Sequence, residues 1–357
     1  MTRTMNRTSM IRLGLSGLGA VGLACVEPCE EGACGELQTG LSSRGETDEG
    51  DLEDDSEAED SGVESGPCHS TLECDSDQVC SMGECTEPDV LIDVEGADPD
   101  GIVEALELAG GGVTLIRVWP LLGWEGLLPY EGHSSAIVVS SEAKKIYIVG
   151  QPVGGALPRW SSSDGVLTIS GAGNELSISR LKLIREGEGE GGGAVISVSS
   201  HASLFIEASA MYAEGEGWVA VKAASFAEMS AESSFFGADG DALVGVDDAV
   251  VNVAYSTVVG DGSLLQCSDG AYFSVVSSIL VGGSDDVCIP PGDTAQNSTL
   301  ELDDLAFFRD ADSGDYHLSS SGIEKLIADV ERHGDGPLTD IDGDPIQSPG
   351  YPGADQP

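Results

Sequence analysis

The chain has 357 residues with 15 Lys+Arg against 63 Asp+Glu, a formal net charge of -48. That balance excludes a nucleic-acid binder, which needs a basic patch to meet phosphates. Hydrophobic residues make up 40 % and aromatics 5 %, and the 49 Gly are about twice the average share; this excludes wholesale disorder and points to tight, repetitive β structure.

No acidic residue occurs before Glu27, whereas Arg3, Arg7 and Arg12 precede an apolar run from Leu13 to Ala24. A basic start followed by about a dozen apolar residues predicts a secretory signal over 1–24, too short to span a bilayer. The run ends Val21-Gly22-Leu23-Ala24-Cys25. This resembles the lipobox of bacterial lipoproteins, with Leu23 one place later than usual. The resemblance implies acylation of Cys25, a lipid anchor and a cell-envelope location; an ordinary secreted protein is the alternative. Val26 rather than Asp follows Cys25, which by analogy with the enteric sorting rule indicates the outer membrane.

Of nine Cys, removing Cys25 leaves Cys29, Cys34, Cys68, Cys74, Cys80, Cys85, Cys267 and Cys288. An even remainder suits disulfides in an oxidising compartment. Residues 25–66 predict a disordered acidic tether: Gly45 to Gly66 is Glu, Asp, Ser and Gly almost throughout, with too little apolar surface to fold. Like charges keep such a segment extended.

Residues 67–88 hold four Cys at x5, x5 and x4 spacing. The segment resembles the small Cys-rich modules of myxobacterial and related surface proteins. Four Cys allow three pairings, and the spacing does not choose among them. Zinc fits poorly, because the paired CxxC knuckle is missing and His69 is the lone nearby His.

A short helix is predicted from Asp98 to Gly112. Asp98 can cap it, Pro99 suits its first turn, and Ile102, Val103, Leu106 and Ala109 share a face. A second helix is predicted over Ile323 to Val330, opening a C-terminal segment 323–357.

Between them the chain repeats. The copies are Leu176-Ile178-Leu181-Leu183, Leu204-Ile206-Ser209-Met211, Met229-Ala231-Ser234-Phe236, Val251-Val253-Ser256-Val258 and Phe273-Val275-Ser278-Leu280. An earlier, weaker copy is Ile146-Ile148-Gln151-Val153. The third members are spaced 30, 28, 25, 22 and 22 residues apart. Further apolar sets such as Val195-Ile196-Val198 and Leu243-Val244-Val246 add a third strand to each copy. Three short strands per copy predict stacked coils about 4.8 Å apart, with serines bonding from coil to coil at the bends. The pattern resembles the right-handed parallel β-helix of pectate-lyase-like proteins, here about seven coils over 89–322. A β-sandwich is the rival.

Cys267 and Cys288 lie 21 residues apart, nearly one coil, so stacking predicts a bridge between them. The end of the chain, Gly314-Asp315-Tyr316-His317-Leu318 and then Thr339 to Pro345 with Gly353-Ala354-Asp355, resembles the C-terminal signature of bacterial β-helix surface proteins. There a strand closes the last coil and the tail packs along it.

No catalytic set stands out. Ala223 to Phe308 contains no Lys or Arg, so these coils lack the Arg base of a pectate lyase. Polygalacturonase and pectin methylesterase motifs are missing as well. Asp247-Asp248 and Asp285-Asp286 read as turn residues. Asp340, Asp342 and Asp344 alternate and can chelate calcium with backbone oxygens, without the Glu of an EF-hand loop. Trp119, Trp124 and Tyr130 cluster in one long early loop and are candidates for a sugar-stacking platform. The expected function is non-catalytic recognition of a glycan or a surface protein. A polysaccharide lyase or hydrolase, or a structural envelope protein, are the alternatives.

Overall fold

The computed structural model describes residues 68–95, 99–119, 143–152, 157–163, 165–187 and 192–284, with short pieces at 121–123, 126–128, 130–131, 136–139, 300–302, 308–310, 315–319, 340–341 and 353–354. Its centre is a parallel β-helix with three faces. Sheet A contains the strands Val90–Glu95, Val113–Trp119, Lys145–Gly150, Glu175–Ser179, Ser203–Glu207, Glu228–Glu232, Val250–Ala254 and Tyr272–Val276. Sheet B also has eight strands, among them Arg159–Ser162, Lys182–Arg185, Ala210–Ala213, Phe235–Ala238 and Thr257–Ser263. Sheet C has six strands, from Ala136–Val139 to Leu265–Cys267. That makes about six complete three-faced turns among the described residues.

The repeated apolar residues form the inward rows. In sheet A, Ile116, Ile148, Ile178, Ile206, Ala231, Val253 and Val275 follow one another in register. In sheet B the row is Trp160, Leu183, Met211, Phe236, Val258 and Leu280. All are buried in one continuous core, each large side chain contributing roughly 1.5–3 kcal/mol. Every second residue points inward because strand side chains alternate.

The weak first copy is out of register. The residue opposite Leu183 is Trp160, not Val153. The segment between Gly150 and Arg159 lengthens that corner, so a spacing counted from the later coils falls short of the true strand. Val153 itself lies outside the described residues.

The corner between sheets A and B explains the repeated serines. Ala208, Ser233, Tyr255 and Ser277 have φ of 45°, 46°, 47° and 51°, a left-handed turn of one residue before Ser209, Ser234, Ser256 and Ser278. Each of these serines is fully buried. Its hydroxyl donates to the carbonyl two residues back, at 2.7–2.8 Å. The same oxygen accepts the backbone N–H of the preceding coil's corner: Leu181 on Ser209, Ser209 on Ser234, Ser234 on Ser256 and Ser256 on Ser278. Removing one hydroxyl leaves a buried N–H unpaired, a cost of about 1–3 kcal/mol. The opposite corner, between sheets C and A, uses two left-handed residues per turn, including Asp247 at φ 53° and Asp248 at φ 59°. That adjacent carboxylate pair is therefore turn structure.

The helix Pro99–Leu108 packs Ile102, Ala105 and Leu106 against Val94, Ile116 and Val118, covering the first turn. At the other end, Asp315–Leu318 pairs antiparallel with Phe308–Asp310 in a separate two-stranded sheet rather than extending the last coil. Two described residues of the tail meet the solenoid. Gly353 N–H donates to the Ser277 carbonyl at 3.0 Å, and Ala354 N–H to Thr257 Oγ1 at 3.1 Å. The predicted helix over 323–330 and the tether lie outside the described residues. Among the described residues no helix is long and apolar enough to cross a membrane.

Candidate functional site: a cleft beside the disulfide knob

Residues 68–86 form a knob of a 3-10 turn, Thr71–Glu73, and a hairpin, Val79–Ser81 with Glu84–Thr86. Cys68 pairs with Cys80 and Cys74 with Cys85, at Cα separations of 5.8 and 5.5 Å. Three of these sulfurs lie within 4.8 Å of one another, but only because two bridges cross so small a module; bridged sulfurs offer no thiolate to a metal. Cys267 is also disulfide-bonded, while Cys288, Cys29 and Cys34 lie outside the described residues.

The knob lies across the outer face of sheet A. Val79, fully buried, packs with Leu115 and Val149, with Leu72 and Tyr147 beside them. Tyr147 Oη donates to the Cys80 carbonyl at 3.2 Å. Arg117, held by Asp93 at 2.7 Å, reaches the Ser76 carbonyl at 3.4 Å. The Arg117 guanidinium holds the Asp93 carboxyl below its ordinary value. Ser70 Oγ donates to Glu207 Oε2. These contacts explain why Leu115 and Glu207, which alternate outward, are nonetheless buried.

Glu207 and Glu232 occupy equivalent positions on neighbouring strands. Burial pushes the Glu207 carboxyl up to about 7, with the Ser70 hydroxyl opposing that rise and the Glu232 and Glu73 charges adding to it. Burial also raises Glu232, against the lowering influence of His69. An outward glutamate on a strand is normally solvated, so two raised carboxyls mark a face covered by another part of the chain.

Along the knob's edge the same face opens into a cleft of about 290 Å³. Its floor is the outward row Tyr147, Ser177, Phe205 and Ser230, in register from coil to coil. Glu175, Ser203 and Glu228 form the adjoining outward row, and His69, Ser70 and Thr71 form the knob wall. Lys145 pairs with Glu175 at 2.9 Å. Desolvation raises the Tyr147 hydroxyl above its ordinary value, as expected of a phenol engaged with the knob.

Of the three early aromatics, the structure describes the side chain of Trp119 alone, and it does not line the cleft. Trp119 ends its strand, 38 % exposed, with Nε1 donating to Asp93 at 3.2 Å. Tyr130 pairs in register with Trp160, while Trp124 and the Tyr130 side chain lie outside the described residues. Asp340 is 1 % exposed; Asp342 and Asp344 are outside the described residues, as is Asp285-Asp286. The available signal for the cleft was the outward alternation of Tyr147 and Phe205 in the very copies that define the repeat.

No protein-family model matches the sequence, and no curated protein matches it. Among solved structures, a pectate lyase double variant from Xanthomonas campestris is similar at a TM-score of 0.35 and 8 % identity, over 60 % of this chain and 77 % of that one. The parallel β-helix assigned to this chain rests on its own strand register.

Proposed function

We propose that this protein is a lipid-anchored envelope protein that binds a glycan in the cleft between the disulfide knob and sheet A. The observation that carries the reading is the floor of that cleft: two outward aromatics, Tyr147 and Phe205, interleaved with Ser177 and Ser230. Aromatic faces stack on sugar rings, and flanking hydroxyls and carboxylates meet sugar hydroxyls. Replacing Cys25 by Ser moves the protein from the membrane to the soluble fraction; retention in the membrane removes the lipid anchor from the account.

Phe205 is partly exposed and lies outside the core, so Phe205→Ala leaves the fold intact. On a polysaccharide array, the parent chain retains at least one polymer and Phe205→Ala loses most of that binding. No retention of neutral or acidic polymers by the parent chain leaves a protein partner or a structural envelope role.

A lyase or hydrolase is the second reading, and the specific observation in its favour is Glu207 with Glu232. A buried carboxyl that holds its proton near neutral pH can act as a general acid, with the neighbouring carboxyl as its partner. Both sit beneath or against the knob and outside the cleft lining, so turnover requires the knob to lift. Shortened products from the bound polymer, lost in Glu207→Gln, identify that case.

A further inference from the structure

We infer that the cleft is built for a neutral β-1,4-linked glycan lying along the axis of the β-helix. The inference rests on the glycan reading above and specifies its ligand. Tyr147 and Phe205 belong to one outward row, separated by the Ser177 coil. Two strand spacings put them about 10 Å apart along the axis. An extended β-1,4-linked chain turns each ring half a revolution from the last, so the same ring face returns once per disaccharide, at this same interval. Alternate rings of such a chain then lie on Tyr147 and Phe205, with the ring between them over Ser177 and the ring after Phe205 over Ser230. An α-1,4 chain coils and a β-1,3 chain winds; neither keeps its rings in step with a straight row.

Charge narrows the ligand further. Glu175 and Glu228 flank the row, Glu73 stands on the knob side, and the ammonium of Lys145 is already taken by Glu175 at 2.9 Å. The chain as a whole carries -48. A polyuronate meets repulsion along the whole cleft, whereas a neutral glucan, mannan or N-acetylated aminosugar chain does not.

The test is isothermal titration of the full chain with tetrasaccharides of defined linkage. The β-1,4-linked gluco-, manno- and N-acetylglucosamine series is compared with the α-1,4 glucan, β-1,3 glucan and galacturonate tetramers. The expected result is binding by at least one neutral β-1,4 tetramer, tenfold or more tighter than the α-1,4, β-1,3 and uronate tetramers. Phe205→Ala weakens it by about fivefold to tenfold, the worth of one stacked ring, and Phe205→Tyr restores it. Preferential binding of an α-1,4, β-1,3 or uronate tetramer overturns the linkage and charge assignment but leaves glycan recognition standing. Binding of β-1,4 tetramers that is indifferent to Phe205→Ala overturns the placement along this row. No binding of any tetramer overturns both this inference and the reading beneath it.

Discussion

Phe236→Ala lowers the stability of the β-helix by about 3–5 kcal/mol, the cost of removing a large buried aromatic and leaving a cavity. Phe236 is fully buried, inward on sheet B between Met211 and Val258. Its neighbours are fixed by strand pairing on both sides, so they cannot move in to fill the space. The control is Phe226→Ala. Phe226 is 53 % exposed at a corner, stacked on His201 with ring centroids 5.0 Å apart, and its loss costs about 0.5–1.5 kcal/mol. Denaturant unfolding of both variants checks the contrast. Equal losses would show that Phe236 is not part of a continuous core. Stacked coils stabilise one another mainly through their neighbours, so the Phe236 variant also broadens the transition.

Raising the pH through 7 destabilises the chain, and Glu207 is the cause. Its carboxyl is held at about 7 when folded against 4.5 in the unfolded chain. A raised folded value means that the folded state binds the proton more tightly. The contribution is therefore complete below about pH 4.5 and is lost as the pH rises through 7, in total roughly 3 kcal/mol by linkage. Glu232 is raised as well and acts in the same direction. Glu207→Gln keeps the acceptor for Ser70 without a charge to bury. It is more stable than the parent at pH 9, and its urea midpoint falls less between pH 5 and pH 9. An unchanged pH slope in the Gln variant removes Glu207 as the source. The released element is the knob, since Ser70 is the partner of Glu207, and the loss should appear first in hydrogen exchange at residues 68–86.

The solenoid was legible because its code is local and repeated. Leu176 and Ile178, and their counterparts one coil on, recur at nearly constant spacing because each sits on an inward row. Ser209, Ser234, Ser256 and Ser278 recur because one corner geometry recurs. The register failed at Trp160, where one longer corner breaks the count that later coils support. The cleft was hidden for a different reason. The knob meets sheet A across large sequence separations: Ser70 to Glu207, Cys80 to Tyr147. Nothing in the local pattern of residues 67–88 says which face a stapled module will cover. On an outward row, Tyr147 and Phe205 look like ordinary strand aromatics until the knob supplies the wall beside them. Cysteine spacing likewise left three pairings open; the fold of the knob settles them by bringing Cys68 to Cys80 and Cys74 to Cys85, contacts that no local spacing encodes.

The most direct test of the central claim is a hydrogen-exchange footprint of the full chain with a saturating bound oligosaccharide. The account predicts protection confined to the strands Lys145–Gly150, Glu175–Ser179, Ser203–Glu207 and Glu228–Glu232 and to the knob residues His69 to Thr71. Protection on sheet B or sheet C, with the cleft strands unchanged, would contradict it and move recognition to another face of the β-helix.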